Sequence, residues 1–160
     1  MLILALFITA CGLRVNIPVV TPSPTVTDEI RVPLPADPTQ VTSLLLSFGA
    51  GRLTLAPGSG ALVSGTAAYN IPDFKPEVTV TDTAVRIEQG DYTIRGIPNL
   101  SGIKNEWDLA LGNVPMALEI EAGAYHAEYE LGGLALTSLT VKDGASDVSL
   151  AFSSPNTAEM

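Results

Sequence analysis

The sequence predicts an all-β domain, built as a β-solenoid, a parallel β-helix-like rack of short strands. Apolar residues alternate with polar or small ones along Leu44, Leu46 and Phe48, and again at Leu53 and Leu55, which indicates strands. No run of ten residues has a convincing 3.6-residue period, and the 14 glycines and 12 prolines suit strands joined by turns. An antiparallel β-sandwich, which also places glycine turns at regular intervals, is the alternative fold.

Residues 1–11 are predicted to be a signal peptide that ends in a lipobox. Seven consecutive apolar residues, Leu2 to Ile8, suit the hydrophobic region of a signal peptide and fall short of the ~20 needed to span a bilayer. The segment Ile8-Thr9-Ala10-Cys11-Gly12 that follows resembles the lipobox of bacterial lipoproteins. The resemblance implies that Cys11 is lipidated and becomes the mature N-terminus, which would anchor the chain to the membrane.

Two further features of this region bear on that prediction. Cys11 is the sole cysteine and cannot form an intramolecular disulfide, although a buried thiol behind a hydrophobic first strand is the competing interpretation. Signal peptides open with positive charge, and no Lys or Arg precedes Arg14. We therefore expect that Met1 is not the natural start or that the chain is a fragment.

Residues 12–43 are predicted to be a proline-rich linker between the anchor and the domain. Six of the twelve prolines lie there, and proline favours extended backbone with a reach of up to ~3.1 Å per residue. Within this segment Ile30 and Val32 alternate with charged neighbours, so Glu29–Val32 could instead pair as an edge strand of the domain.

Residues 44–155 are predicted to form the domain, because a repeated pattern runs through them. Three segments, starting at Leu46, Leu118 and Leu139, carry two apolar residues two positions apart, a two-residue gap and then glycine. Those glycines are Gly51, Gly123 and Gly144. The pattern indicates a strand, a glycine corner suited to positive φ and a second strand, and stacked copies would bury one shared apolar column.

The residues of this domain resemble those of a known bacterial family. Leu46–Leu55, Asn105–Leu111, Leu118–Ala124 and Leu131–Gly144 are similar to the N-terminal toast-rack domain, which is related to the cell-wall-active antibiotic response proteins. The resemblance implies a rack of stacked parallel β-turns in an envelope protein, with no catalytic residues to transfer. The corners at Gly123 and Gly144 lack the Gly-Ala-Gly that the family tends to carry.

The charge of the chain restricts its partners. Eight Lys and Arg stand against 17 Asp and Glu, for a net charge of −9, which argues against nucleic acid. From Glu106 onward there are nine acidic residues and a single basic one, Lys142. The acidic excess therefore belongs to the second half of the domain.

Four of these acidic residues define the candidate ligand or cation face, namely Glu119, Glu121, Glu128 and Glu130. Carboxylates suit Ca²⁺ or the acid chemistry of glycoside cleavage, whereas a solvated face that favours solubility is the simpler interpretation. His126, the sole histidine, is predicted to be exposed beside them, and Trp107 to anchor the core. No cofactor, metal or catalytic residue is predicted.

The predicted function is that of a non-enzymatic, lipid-anchored protein of the bacterial envelope that presents a rigid acidic β-domain outside the cytoplasm. Its partners would be the membrane, through Cys11, and a cell-wall polymer or another envelope protein. The alternatives are a polysaccharide-acting β-helix enzyme and a modulator of the envelope antibiotic-stress response. The last strand, Val148 to Phe152, would expose a hydrophobic turn, which we expect further chain or a partner to cover.

Overall fold

The computed structural model describes residues 22–90 and 102–159. The predicted signal peptide and Cys11 lie outside these residues, as do residues 91–101. Within the described ranges no helix has the length and apolar character needed to cross a membrane.

Strands dominate the described residues, which confirms the all-β class. One short 3-10 turn, Pro72–Phe74, interrupts them. The strands are β1 (Val26–Val32), β2 (Thr42–Ser59), β3 (Val63–Tyr69), β4 (Pro76–Val80), β5 (Ala84–Gln89), β6 (Asn105–Gly112), β7 (Met116–Glu130) and β8 (Leu136–Ala151).

The eight strands form one mixed sheet. Its main path runs β1-β3-β6-β2-β5-β4, with β7 beside β2 and β8 beside β7. Strand β2 pairs in parallel with β5, β6 and β7, and β7 pairs in parallel with β8. The pairs β1–β3, β3–β6 and β4–β5 are antiparallel. Both kinds of pairing considered from the sequence are therefore present, each in its own part of the sheet.

Strands β2, β7 and β8 are long, and in each the alternation of inward and outward residues shifts by one position at a glycine, which is called the corner below. Gly49 faces Gly123, and a Cβ on Gly123 would lie 2.4 Å from the Gly49 oxygen. A Cβ on Gly144 would lie 2.7 Å from the Gly123 oxygen. Of the glycines at these corners, Gly49, Gly51, Gly123 and Gly144, only Gly51 has a positive φ, of 134°. At Gly123 and Gly144 the close approach of backbones, rather than positive φ, is what requires glycine.

The predicted alignment of the first repeat is wrong by two residues. Leu44, not Leu46, lies opposite Leu118, so the corner glycine of β2 is Gly49 rather than Gly51. A shift of two keeps every side chain on the same face of the sheet, so the apolar pattern cannot distinguish the two alignments. The other predicted pairing is confirmed, because Leu118 lies opposite Leu139.

Part of the segment predicted as a linker belongs to the sheet. Strand β1 pairs antiparallel with β3 along its whole length, and it buries Ile30 and Val32. The edge-strand alternative therefore describes residues 26–32, since two alternating apolar residues suffice to cover one edge of the core.

The core lies on the inward faces of these strands. Trp107 is 1% exposed, as predicted for a core anchor, and its ring meets Phe48 edge-on with the centroids 5.1 Å apart. Phe48 also packs against Tyr125, 6.1 Å away. The aromatic cluster lies where β2, β6 and β7 meet, directly inside the stacked corners.

Candidate interaction surface on strand β8

Strand β8 is bordered on one side only. Among the described residues it pairs with β7 alone, whereas β7 lies between β2 and β8. The first position of its outer edge is closed by Asn156, whose side chain accepts a hydrogen bond from Leu136 N at 2.8 Å and donates one to Leu136 O at 2.8 Å. Beyond that position the backbone groups on the outer edge are available to a further strand.

The apolar side chains on the inward face of β8 are only partly covered. Leu139, Val141 and Val148 pack against the core but are half-buried, and Leu150 is 47% exposed. Leu150 lies opposite Tyr129 of β7, which is 2% exposed. A sheet edge that combines free backbone groups with exposed apolar side chains is suited to binding another strand.

On the outward face, the first half of β7 and β8 carries an ion-pair cluster. Lys142 Nζ donates to Glu119 Oε1 at 2.5 Å and to Glu121 Oε1 at 2.9 Å. Hydrogen bonds and charge attraction from these two carboxylates hold the pKa of Lys142 above its usual value. The Lys142 side chain remains 58% exposed, so its ammonium still faces solvent.

A second outward row runs along the other half of the same strands. His126 Nε2 lies 3.5 Å from Glu128 Oε1, and His126 Nδ1 lies 3.3 Å from Asp147 Oδ2. Asp147 is on β8 and its side chain is 87% exposed. The Lys142 cluster and this His126 row therefore place a cation, Lys142, and an anion, Asp147, on opposite sides of the β8 corner.

Glu130 has a different role from the other three glutamates. Its Oε1 accepts hydrogen bonds from Gly132 N at 2.7 Å and from Ser153 N at 3.0 Å. These backbone donors, Ser153 first, lower the pKa of Glu130. The carboxylate joins the turn after β7 to the segment after β8, which is a structural contact that the sequence pattern did not predict.

The four glutamates of the predicted acidic face are thus distributed over three sets of contacts. Glu119 and Glu121 share Lys142, Glu128 lies beside His126, and Glu130 binds backbone amides. Within residues 22–90 and 102–159, no three His, Cys, Asp or Glu side chains are grouped to hold a metal ion. The chemistry of this surface is that of ion pairing and strand pairing.

A buried polar network joins β7 to β8 beneath the corner. Tyr129 OH donates to Tyr125 OH at 3.1 Å, and Tyr125 OH donates to Asp143. Burial, and then the hydrogen bond to Asp143, raise the pKa of Tyr125 to about 12. The tyrosines look scattered in the sequence, and only the stacking of β7 on β8 brings their hydroxyls to Asp143.

A second surface lies where the β1–β2 connection meets the β4–β5 turn. It is a groove with a volume of about 380 Å³, and the apolar side chains that line it include the exposed Leu34, Val41 and Val80. Asp37 and Asp82 also line it. The lining of the groove is therefore mixed, with threonine and acidic side chains beside the apolar ones.

Comparison with known proteins identifies one family model, described as the N-terminal domain of toast_rack, DUF2154, that matches residues 21–160. That range includes every strand of the sheet. No curated protein matches the chain.

The chain also matches solved structures from bacteria. A candidate cell adhesion protein from Clostridium sporogenes ATCC 15579 is 23% identical, with a TM-score of 0.69 over 84% of this chain and 65% of that chain. This chain therefore spans less than two thirds of the length of that protein. A candidate adhesin from Bacteroides fragilis NCTC 9343 is 13% identical, with a TM-score of 0.42 over 82% of this chain and 64% of that chain. The Clostridium structure has the same fold.

Proposed function

Because the chain belongs to the family of N-terminal domains of toast_rack, we propose that it is a non-enzymatic, lipid-anchored protein of the cell envelope that binds other envelope components. The observation that carries the proposal is the outer edge of β8, which no other described strand covers, with Leu150 47% exposed on the same strand. The adhesion role named for the Clostridium protein is in keeping with it. We further propose that β2, β7 and β8 act as a short rack of stacked turns.

The position of the anchor suits such a role. Lipidation of Cys11 would hold the domain at the membrane, and residues 12–25 contain Pro18, Pro22 and Pro24 ahead of β1. An extended proline-rich segment of that length would reach ~40 Å. The acidic domain would then stand clear of the membrane surface, outside the cytoplasm.

A binding role accounts for the carboxylates better than glycan cleavage does. A glycosidase needs one carboxylic acid that donates a proton and a second carboxylate about 5–10 Å away. Glu119 and Glu121 instead accept hydrogen bonds from one ammonium, and Glu130 accepts two from backbone amides. These arrangements suit ion pairs and a turn, and none aims a proton at a sugar.

The anchor is tested by fractionating cells that express the chain or its Cys11→Ala variant. We expect the unmodified chain in the membrane pellet, with acyl groups on Cys11 in its mass spectrum, and the variant in the soluble extracytoplasmic fraction. An unmodified Cys11 that still follows residues 1–10 in the mature protein would contradict the anchor.

The binding role is tested with soluble Cys11→Ser protein added to cells that display the chain. Leu150→Lys should abolish most of the retention on these cells, because it places a charge at the open edge of β8. Val78→Lys is the matched control, since Val78 is 44% exposed on β4, away from β8. Equal retention of both variants, or release of reducing sugars from peptidoglycan, pectin or alginate by the pure protein, would contradict the proposal.

A further inference from the structure

We propose that the outer edge of β8 pairs with β8 of a second copy of this chain, antiparallel, about a twofold axis that passes between Gly144 and Ala145. The inference rests on the proposed function in one respect, that β8 is the binding edge, and it names the occupant of that edge. The proposed pairing rests on three features of β8: which residues lie on each face, where the alternation shifts, and where the charges lie.

The register with β7 defines the two faces of β8. Residues opposite the buried Leu118, Ile120, Tyr125, Ala127 and Tyr129 point inward, and residues opposite Glu119, Glu121, His126 and Glu128 point outward. The inward set on β8 is Leu139, Val141, Asp143, Ser146, Val148 and Leu150. The outward set is Thr140, Lys142, Asp147 and Ser149. Both sets are symmetric about the peptide bond between Gly144 and Ala145.

The shift in alternation at Gly144 and Ala145 leaves few registers for self-pairing. Inward residues can lie opposite inward residues along both halves only if the two shifts coincide, so the axis must lie on Gly144, on Ala145 or between them. With the axis on Gly144, the inward Val141 would face the outward Asp147 of the second copy, and an axis on Ala145 produces the same conflict for Lys142 and Val148. Only the intermediate position places inward residues opposite inward residues.

That register makes the edge complementary to itself. Val141 faces Val148 of the second copy, Leu139 faces Leu150, and Lys142 faces Asp147, and the twofold axis repeats each pair. Opposite charges on directly opposed residues of an antiparallel pair are stabilising. Lys142 contacts Glu119 and Glu121, and Asp147 contacts His126, but the two side chains are still 58% and 87% exposed, so each can reach a further partner.

Strand β7 shows that this complementarity is not shared by every strand with a corner. The equivalent axis on β7 would lie between Gly123 and Ala124 and would oppose Glu119 to Glu128, two like charges. Strand β7 lies between β2 and β8, so neither of its edges can pair with a second copy. On β8, whose outer edge pairs with no other described strand, the charges are complementary.

The extent of the pairing follows from Asn156. Because its side chain already binds Leu136 N and O, the second strand would cover residues 139–150. Pairing along these twelve positions would cover the half-exposed Leu139, Val141, Val148 and Leu150. The result would be one continuous sheet through both copies, with a lipid anchor on each.

The test uses soluble Cys11→Ser protein and measures its mass in solution by sedimentation equilibrium. We expect a dimer for this protein. Lys142→Asp and Asp147→Lys should each weaken the dimer by roughly tenfold or more, because each variant places like charges opposite one another twice. An equimolar mixture of the two variants should recover the dimer, since every opposed pair is again one acid and one lysine.

The mixture also controls for folding, because a misfolded variant would not pair with its counterpart. A mixture that stays monomeric while the parent protein dimerises would overturn the register. If the parent protein stays monomeric but still binds to cells through an edge that Leu150→Lys disrupts, the second copy is the wrong occupant and the proposed function stands. If Leu150→Lys has no effect on cell binding either, both proposals fail.

Discussion

Strands β7 and β8 have nearly the same pattern and very different surroundings. Each alternates apolar and polar residues, passes a glycine corner and alternates again, and the two pair in register from Ala117 to Glu130. On β7 the inward Leu118, Ile120 and Tyr129 are at most 2% exposed, whereas the inward Leu150 of β8 is 47% exposed. Burial in this sheet is therefore decided by the neighbours of a strand as much as by its own sequence. Strand β7 pairs with a strand on each side, whereas β8 has one edge left to bind a further strand.

The largest expected effect comes from filling the enclosed corner. Gly123→Ala would place a Cβ 2.4 Å from the Gly49 oxygen, so β2 and β7 would have to separate. We expect a loss of about 3 kcal/mol in the free energy of unfolding, measured by urea titration. Gly144→Ala should cost less, because β8 has open space on its outer side into which it can move.

The control for the corner is Gly60→Ala, because nothing lies within 4 Å of a Cβ at Gly60. It should change the free energy of unfolding little. Similar losses for Gly123→Ala and Gly60→Ala would show that the stacked corners are not close-packed.

A matched pair of leucines tests the difference in burial between the two strands. Leu118 and Leu139 lie opposite each other, and only Leu118 is fully buried. Leu118→Ala should cost about 2–5 kcal/mol, and Leu139→Ala at a low protein concentration about half of that or less. Urea unfolding measures both, and equal losses would contradict the contrast between an enclosed and an open strand.

The tyrosine network between the strands should make the protein sensitive to alkali. The pKa of Tyr125 is raised to about 12, so the neutral phenol is favoured in the folded state. Its contribution is complete below pH 10, the value for an unfolded tyrosine, and is lost as the pH rises towards 12. The unfolding free energy should fall over that window, and it should fall less steeply in Tyr125→Phe.

Tyr69→Phe serves as the comparison for the alkaline effect, because burial and Asp28 raise the pKa of Tyr69 to about 12 as well, in a different part of the sheet. Each substitution should remove part of the fall in unfolding free energy between pH 10 and pH 12. The double variant should lose both parts. An unchanged slope in Tyr125→Phe would show that its hydroxyl does not contribute.

The smallest expected effect concerns Glu130. Backbone amides lower its pKa in the folded state, so its stabilising contribution is present above about pH 4.5 and is lost as the pH falls through the lowered value. Glu130→Gln should therefore lower the melting temperature slightly at pH 7 and not at pH 3. Glu128→Gln, on an exposed side chain without such amide contacts, should behave like the parent protein at both values.

Alternation and glycine spacing were sufficient to predict the all-β class, the corners of β7 and β8, and the buried Trp107. They could not fix the first repeat, because Leu44, Leu45 and Leu46 are all apolar and a two-residue shift leaves the faces unchanged. They also left β1 undecided, because its partner β3 lies over 30 residues further along the chain and antiparallel pairing between distant segments leaves no local pattern.

The candidate surface could be predicted only in part. The acidic excess and the exposed last strand are visible in the sequence, but the partners of Glu119 and Glu130 depend on the stacking of β7 against β8. The importance of Lys142 and Asp147 depends on knowing that β8 is an edge and that its corner lies at Gly144. Composition marks Lys142 only as the lone basic residue after Glu106.

The most direct test of the central claim, that β8 is an open and self-complementary edge of the sheet, is amide hydrogen exchange at two protein concentrations. Peptides within residues 138–151 should exchange slowly in concentrated protein and much faster after dilution below the dimer dissociation constant, while peptides within residues 116–130 stay protected throughout. Exchange in residues 138–151 that is the same at both concentrations would contradict it.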